Sequence, residues 1–202
     1  MALPGVYKFI TDQWNGQTYH IFSDPHFGDE DLRAGIPGRP SDEELLKSIN
    51  KKIGKQDIVF CLGDVGNVEY AKRIRGKVKI LVCGNHDRGA TNYEEAFDHV
   101  FTGPLMIGEK LLLSHEPVPA AWYVNIHGHD HTGRKRKGCI NVCLDANGYE
   151  PINMNQLLKS GIYKDVESIH RITIDGAIER KKKRGGKKIG KNSINSRSSA
   201  SK

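Results

Sequence analysis

The feature that most constrains this chain is a repeated pattern in which a short apolar run ends directly in residues that can bind metal ions or transfer protons. In the clearest case, the run Val78–Val82 leads through Cys83-Gly84 into Asn85-His86-Asp87. Short apolar runs bounded by polar loops predict buried β-strands, and loops at strand ends commonly carry binding chemistry. The pattern occurs at five places, which are Asp24-Pro25-His26, Asp64, Asn85-His86-Asp87, His115 and His129-Asp130-His131.

Helical patterns separate several of these runs. Ser41 and Glu44 have capping-box spacing, and the apolar residues after them predict a helix over residues 42–54. Further helices are predicted over residues 68–75, 93–98 and 153–160, and further strands over residues 57–62, 111–113, 122–126, 140–144 and 168–174. Asn15-Gly16 predicts a hairpin between strands at residues 6–14 and 18–23. Strands that alternate with helices predict an α/β (α+β) fold.

The positive charge of the chain is confined to its C-terminal end. The 202 residues include 31 Lys and Arg against 24 Asp and Glu, a net charge of +7, yet residues 180–202 hold ten of the basic residues and no acidic one. This length fits one substantial domain. We therefore predict a single domain over residues 1–179 and a disordered basic tail over residues 180–202, because the tail has too few apolar residues to offset the entropy of ordering.

The cysteines and the N-terminus indicate the compartment. Cys61, Cys83, Cys139 and Cys143 form no CxxC pair and lie in or beside apolar runs, so we interpret them as reduced core residues. The first residues lack a signal-peptide pattern, and no apolar run approaches the roughly 20 residues of a membrane span. These patterns predict a cytoplasmic protein with no membrane segment.

Each polar cluster alone has an ordinary structural explanation. Asp24 or Asp64 alone fits a turn, His115 alone fits a buried core histidine, and residues 127–131 alone fit a surface cluster. Together they supply oxygen and nitrogen ligands on successive strand ends, and this mixed set suits two divalent ions of intermediate hardness. The seven candidate ligands are Asp24, His26, Asp64, Asn85, His115, His129 and His131.

Five motifs in order also carry a family resemblance. They lie within about residues 19 to 150 and are Asp24-Pro25-His26, Gly63-Asp64-Val65-Gly66-Asn67, Gly84-Asn85-His86-Asp87, Ser114-His115 and Gly128-His129-Asp130-His131. The set resembles the calcineurin-like metallophosphoesterases, and most closely their short, single-domain bacterial and phage members. The resemblance implies two packed mixed β-sheets flanked by helices, a four-layer α/β/β/α sandwich with the metals at the strand ends.

The resemblance further implies which residues transfer protons and which metal ion each candidate ligand binds. His86 would act as the general acid or as a hydrogen-bond donor to the transition state, and Asp87 would orient its ring. Two ions would share a hydroxide that attacks phosphorus. The expected cofactors are two Mn²⁺ ions, with Fe²⁺, Zn²⁺, Co²⁺ and Ni²⁺ as alternatives. One ion would be held by Asp24, His26, Asp64 and His131, and the other by Asp64, Asn85, His115 and His129, with Asp64 as the bridge.

The expected substrate is a phosphorylated small molecule or nucleotide, with a phosphodiester slightly preferred over a monoester. Arg39 is the preferred arginine for gripping its phosphate, and the ordinary alternative for this residue is a surface position. The basic tail would attract nucleic acid without regard to sequence, or it would only aid solubility. The alternative function is a catalytically weak scaffold or nucleic-acid-binding protein on the same fold that docks through this tail.

Overall fold

Two β-sheets organise this protein, whose structure is a computed structural model. The structure describes residues 17–87, 89–108, 110–167 and 173–183. Of these described residues, those up to Val166 belong to one compact unit, and those from Glu167 onward belong to a second. The strand predicted over residues 6–14 lies outside the described residues.

Among the described residues, five strands form the first sheet. These are β1 (Tyr19–Phe22), β2 (Ile58–Cys61), β3 (Val78–Val82), β4 (His99–Phe101) and, from much later in the chain, β9 (Ile152–Asn153). Their order in the sheet is β4-β3-β2-β1-β9. Strands β1 to β4 are parallel, and β9 runs antiparallel to β1. The loops after β1, β2 and β3 therefore leave the same edge of the sheet.

Four strands from the described part of the chain form the second sheet. These are β5 (Leu105–Ile107), β6 (Leu111–Ser114), β7 (Val124–His127) and β8 (Cys139–Asn141), in that order across the sheet. Strands β6, β7 and β8 are parallel, and β5 is antiparallel to β6. The loops after β6, β7 and β8 also leave one edge together.

The two sheets pack face to face around one apolar core. Alternate residues of the first sheet, including Ile21, Phe60 and Ile80, pack in one cluster with Leu113 and Ile126 of the second sheet. The alternation follows from strand geometry, because successive side chains point to opposite faces. Burying each of these side chains stabilises the fold by about 1.5–3 kcal/mol.

Helices flank the first sheet. Ser41 and Glu44 form the predicted capping box, and Leu45 and Ile49 pack in a second apolar cluster with Val59 on the outer face of that sheet. These contacts confirm the predicted class, an α/β fold with two packed mixed sheets flanked by helices. The described α-helices of the first unit are α1 (Glu30–Gly35), α2 (Asp42–Lys52), α3 (Val68–Lys72) and α4 (Met154–Lys159).

Several predicted elements differ from the structure. The helix predicted over residues 93–98 is instead a 3-10 helix at Ala90–Tyr93 followed by turns, from which Phe97 packs against the core. Strands β4, β5 and β9 were missed because two or three residues are too few to show a periodic pattern. Helix α1 was missed because it has no buried residue and therefore no apolar stripe.

Residues 173–183 form a helix in the second unit. This corrects the strand predicted over residues 168–174 at its last two positions, and residues 168–172 lie outside the described part. The helix also includes Arg180–Lys183, the first residues of the tail that we expected to be disordered, and the rest of the tail is not described. Among the described residues, no helix combines the length and apolar character needed to cross a membrane.

Candidate metal centre

The carboxyl ends of the parallel strands from both sheets meet at one place. The segment after β1 pairs with the segment after β8, because Ser23 N–H donates to the Val142 carbonyl at 3.1 Å and Leu144 N–H donates to the Ser23 carbonyl at 3.1 Å. Within the second sheet, Gly128 N–H donates to the His115 carbonyl at 2.9 Å. These bonds bring the candidate ligands from separate loops together.

Four of the seven candidate ligands have a backbone conformation that L-residues rarely adopt. The φ angles of Asp24, His26, Asp64 and His129 are 61°, 44°, 53° and 64°. Such conformations cost on the order of 1–3 kcal/mol each and persist where neighbouring bonds enforce them. Here the Asp24 N–H donates to the Gly63 carbonyl at 3.0 Å, and the His26 N–H donates to the Asp64 carbonyl at 2.9 Å. The loops after β1 and β2 therefore hold each other in shape.

Two glycines allow these loops to approach closely. A Cβ on Gly84 would overlap the Asp64 carboxylate, and a Cβ on Gly128 would overlap the Ser23 hydroxyl and lie 2.6 Å from Asp24 Oδ2. Each glycine directly precedes a candidate ligand. The ligand can therefore reach its neighbours only because the residue before it has no side chain.

Asp24, His26, His131 and Asp64 form one half of the cluster. His131 Nε2 lies 3.8 Å and His26 Nε2 lies 4.0 Å from Asp24 Oδ1, and His26 Nε2 lies 3.4 Å from Asp64 Oδ2. Asp24 Oδ1 and His26 Nε2 are buried and have no hydrogen-bond partner among the described residues. Buried polar atoms are nearly always paired, so these two atoms fit ligands of a cation.

Asp64, Asn85, His115 and His129 form the other half. His115 Nε2 lies 3.2 Å from Asp64 Oδ2, 2.9 Å from Asn85 Oδ1 and 3.1 Å from His129 Nδ1. His115 Nδ1 lies 2.7 Å from the Leu62 carbonyl, which can only accept, so Nδ1 carries a proton. Nε2 is then the nitrogen available to a metal ion, and Asp64 Oδ2 belongs to both halves.

The close charges change the proton affinities of this cluster. Burial lowers the pKa of His115, but its hydrogen bond to Asp64 and the nearby Asp24 carboxylate outweigh burial, so the pKa is raised above its ordinary value. Burial raises the pKa of Asp64, but contacts with His115 and His26 and the His86 N–H hold it well below its usual range. The carboxyl group of Asp64, a candidate ligand, is therefore ionised near neutral pH.

In the part of the chain that the structure describes, three groups of side chains have ligand atoms close enough to hold a metal ion. Two of these groups fall within the predicted ligand sets and share Asp64, and the remaining group includes the buried thiol of Cys143. Carboxylate and imidazole donors together suit Mn²⁺, Fe²⁺, Zn²⁺ or Co²⁺. With ligand atoms within 4.8 Å of one another, the groups are Asp24, His26 and Asp64; Asp64, His115 and His129; and Asp24, His131 and Cys143.

His86 lies at the exposed rim of the cluster. Its ring meets the His26 ring edge to face, with 5.4 Å between the centroids and an interplanar angle of 68°. Its backbone N–H donates to Asp64 Oδ1 at 2.9 Å. This hydrogen bond holds the backbone of His86 beside Asp64, and the residue is exposed to solvent.

Asp87 has different partners from those the sequence predicted. Its carboxylate accepts the backbone N–H groups of Asp64 at 2.8 Å, Val65 at 2.9 Å and Gly84 at 2.8 Å, whereas we expected it to orient the His86 ring. Asp87 thus joins the loop after β2 to the loop after β3. A carboxylate is well suited to this because it offers several acceptor sites to converging N–H groups.

Arg39 also differs from its predicted role of gripping a substrate phosphate. Its side chain is 3 % exposed, and its guanidinium pairs with Asp145 and donates to the carbonyls of Asp24 at 3.1 Å and Pro25 at 2.8 Å. The structure therefore corrects this prediction. The guanidinium is buried and supports the loop after β1 that carries Asp24 and His26, which we call the first ligand loop.

Asp145 is a residue of the cluster that the sequence analysis did not identify. It begins the 3-10 helix Asp145–Asn147 after β8 and accepts a hydrogen bond from His131 Nδ1 at 2.7 Å. This bond raises the pKa of His131 above its ordinary value against the opposing effect of burial. Asp145 follows an apolar run as the other clusters do, so the same pattern could have found it.

Two solved structures resemble this chain. No family model and no curated protein matches the chain. A protein of unknown function, AQ665 from Aquifex aeolicus, shares 26% identity and a TM-score of 0.58 over 71% of this chain and 98% of its own. The nuclease MPE from Pseudomonas putida shares 22% identity and a TM-score of 0.42 over 56% of this chain and 61% of its own. The structure itself shows an α/β protein with candidate metal-ligand clusters at its strand ends.

Proposed function

We propose that this chain is a metallophosphoesterase of the calcineurin-like superfamily that hydrolyses phosphate esters with two divalent metal ions. The observation that carries this proposal is the position of Asp64 Oδ2, 3.4 Å from His26 Nε2 and 3.2 Å from His115 Nε2. One carboxylate oxygen shared by two groups of imidazole and oxygen ligands is suited to bridge two ions.

The two ligand groups would hold one ion each. The ions we propose are Mn²⁺, with Fe²⁺, Zn²⁺, Co²⁺ and Ni²⁺ as alternatives. When bound, such ions supply Lewis acidity that lowers the pKa of water and withdraws charge from a phosphoryl group. The first group is Asp24, His26, Asp64 and His131, and the second is Asp64, Asn85, His115 and His129.

His86 is the residue to which we assign proton transfer. It lies at the rim, its ring is exposed, and its backbone is tied to Asp64. Histidine is the side chain that most often transfers a proton to a reacting group in enzymes, so the His86 imidazole is suited to protonate the leaving oxygen. Asp87 would support this role by fixing the loop that carries His86.

The surroundings of the cluster favour a phosphodiester or nucleotide-like substrate over a simple monoester. Asn85, His86 and His129 are exposed, so a large substrate can reach the cluster from the surface. A cavity of about 210 Å³ lies beside Asn85 and His115 and is also lined by Val118. This cavity provides room for an organic group on the phosphate.

The proposal is tested with Mn²⁺-loaded protein and chromogenic phosphate esters. Wild-type protein should hydrolyse a nitrophenyl phosphodiester faster than the corresponding monoester. His86→Asn should lower turnover by about 10²–10⁴-fold, the usual contribution of general acid catalysis, and leave Mn²⁺ binding unchanged. The matched control is His99→Asn, because His99 begins the edge strand β4 in register with Ile80, before the loop that carries His86, and should not affect turnover.

A protein that binds both ions but cleaves no ester would support the alternative, a scaffold without catalysis. Full turnover in the His86→Asn variant would instead remove His86 from the mechanism. These two results are distinct, because the first concerns the wild-type protein and the second concerns one variant.

The basic C-terminal segment supports nucleic acid as a further partner. Arg180–Lys183 are exposed in the helix at residues 173–183, and six more basic residues follow in the sequence. Lys and Arg side chains bind phosphates without regard to sequence and in a salt-dependent way. Deleting residues 180–202 should weaken nucleic-acid binding at low salt and leave hydrolysis of a small diester intact. Unchanged affinity would show that the segment is not the contact.

A further inference from the structure

Arg39 is a buried cation whose polar contacts lead to the first ligand loop and to Asp145. Its guanidinium donates to the carbonyls of Asp24 and Pro25, at 3.1 Å and 2.8 Å, and both of these residues are buried. On the other side of the loop, the His26 N–H donates to the loop after β2. The strained backbone of this loop is therefore held from two sides, and Arg39 provides one of them.

Asp145 connects Arg39 to a second ligand. Its Oδ2 atom pairs with Arg39 Nη1 and also accepts from His131 Nδ1 at 2.7 Å, and the carboxylate is 3 % exposed. Because Nδ1 donates to Asp145, Nε2 carries the lone pair, and Nε2 lies 3.8 Å from Asp24 Oδ1. Asp145 therefore fixes both the tautomer and the direction of the His131 ring.

These contacts form a closed circuit on one side of the cluster. The circuit runs from the Asp24 carbonyl to Arg39, then to Asp145, to His131 and back to the Asp24 carboxylate. It joins segments that are 106 residues apart in sequence at the contact of Arg39 with Asp145. Among the described residues, neither Arg39 nor Asp145 makes a hydrogen bond or ion pair with the ligands that belong only to the other half, Asn85, His115 and His129.

We infer that Arg39 and Asp145 are positioning residues that preorganise the half of the proposed metal centre formed by Asp24, His26 and His131, and do not set the other half. This inference rests on the proposed function. An arginine suits the position because its planar guanidinium donates in several directions at once, whereas a lysine keeps the charge without this fixed fork. The opposite charge of Asp145 makes the burial of Arg39 tolerable.

The inference is tested by titrating the protein with Mn²⁺ alone and following heat release. Wild-type protein should bind two equivalents. Asp145→Asn and Arg39→Lys should each weaken one equivalent by about 10- to 100-fold, the usual effect of removing a group that orients a metal-binding histidine. The other equivalent should keep its affinity.

A coupling experiment identifies which half is affected. Asp145→Asn acts through His131, so it should change Mn²⁺ affinity far less in a His131→Ala background than in the wild-type protein. In an Asn85→Ala background, which alters the other half, Asp145→Asn should keep its full effect. A general loss of structure would not distinguish the two backgrounds.

Folding is controlled separately, because Asp145→Asn leaves a buried arginine without its counter-ion. Arg39→Lys keeps a positive charge opposite Asp145, and the double variant Arg39→Gln with Asp145→Asn removes both charges. Thermal unfolding of each variant reports whether it folds. The matched control is Arg73→Lys, because Arg73 makes an exposed two-bond pair with Glu43 at 2.6 Å and 2.7 Å on the helical surface. It should bind both equivalents as the wild-type protein does.

Three further outcomes would each overturn the inference that Arg39 and Asp145 preorganise one half of the proposed metal centre. If folded variants bind both equivalents with wild-type affinity, the inference is overturned and the proposed function stands. If both equivalents weaken alike in Arg39→Lys and in the neutral double variant, the pair is a general structural element and the inference is also overturned. If the wild-type protein binds neither Mn²⁺ nor any of the alternative ions, the proposed function fails and the inference fails with it.

Discussion

The ligands in the two halves of the proposed metal centre are supported by different kinds of contact. In the half that contains His131, two buried charged side chains connect His131 to the loop after β1. Asp145 accepts from His131, and Arg39 pairs with Asp145 and donates to that loop. In the other half, the Asp87 carboxylate accepts three backbone N–H groups, and His115 donates to a backbone carbonyl. One half depends on paired charges, and the other depends mainly on the backbone.

This difference implies different sensitivities to mutation. Removing one member of a buried ion pair costs about 3–5 kcal/mol, because the remaining charge is left without compensation. A hydrogen bond to a charged group contributes about 1.5–3 kcal/mol, and Asp87 makes several, so the loss can be partial. Removing one charge should therefore cause a large loss of stability in the half with the ion pair. Removing one hydrogen bond in the other half should cause only a partial loss.

The largest effect is expected from Asp64→Ala, which removes the oxygen shared by both halves. Both Mn²⁺ equivalents and esterase activity should be lost, an effect greater than the roughly 10- to 100-fold typical of residues that only orient a ligand. Calorimetric titration and ester hydrolysis measure it, with Asp98→Ala beside β4 as control. Retention of one full-affinity equivalent would show that the halves do not share Asp64.

Gly128→Ala should disturb both halves through the backbone. The added methyl group would overlap Ser23 and press on Asp24, so we expect a loss of about 1–3 kcal/mol in the free energy of unfolding and weaker Mn²⁺ binding at both equivalents. Denaturant unfolding and metal titration are the measurements. Gly35→Ala is the matched control, because a methyl group there meets nothing within 4 Å. Wild-type stability in Gly128→Ala would contradict the close approach.

Asp87→Asn should affect mainly the half that contains Asn85. The amide keeps one acceptor oxygen but turns an NH₂ group toward backbone N–H donors, so we expect a loss of about 1–3 kcal/mol in unfolding free energy. One Mn²⁺ equivalent should weaken, and it should not be the one that Asp145→Asn weakens. The double variant Asp87→Asn with Asp145→Asn checks this, since independent effects add. Loss of the same equivalent in both single variants would refute the comparison.

The smallest effect is a dependence of Mn²⁺ affinity on pH. Burial opposes but does not cancel the contacts with Asp64 and Asp24 that raise the pKa of His115, and the bond to Asp145 raises the pKa of His131. Both rings therefore hold protons above pH 6.5, the ordinary histidine pKa. Metal binding must displace those protons, so affinity should rise as pH rises through the raised pKa values, by up to about tenfold per pH unit for each proton released.

Titrations at several pH values in buffers of different ionisation enthalpy count these protons. Asp145→Asn removes the contact that raises the pKa of His131, so fewer protons should be released near pH 7. An affinity that does not change with pH would show that neither ring binds a proton before the metal.

Local pattern was enough to predict the longer strands and to identify candidate ligand residues after them. Strand β3 has the predicted bounds, Val78–Val82, and Ser41 caps α2 as expected. The same local information could not predict the short strands, and it assigned to Arg39 and Asp87 partners that differ from those in the structure. Both residues bond to groups whose positions depend on how distant loops pack.

The sequence by itself determined which residue types stand at the strand ends, because apolar runs specify buried strands and parallel strands deliver their last residues to one edge. Only the tertiary structure decided that the edges of two sheets meet, through the pairing of Ser23 with the segment after β8. It also decided that Arg39 turns inward to Asp145 across 106 residues of sequence. A guanidinium pairs with whichever acceptors the packed loops place beside it, and no periodicity in the chain encodes that position.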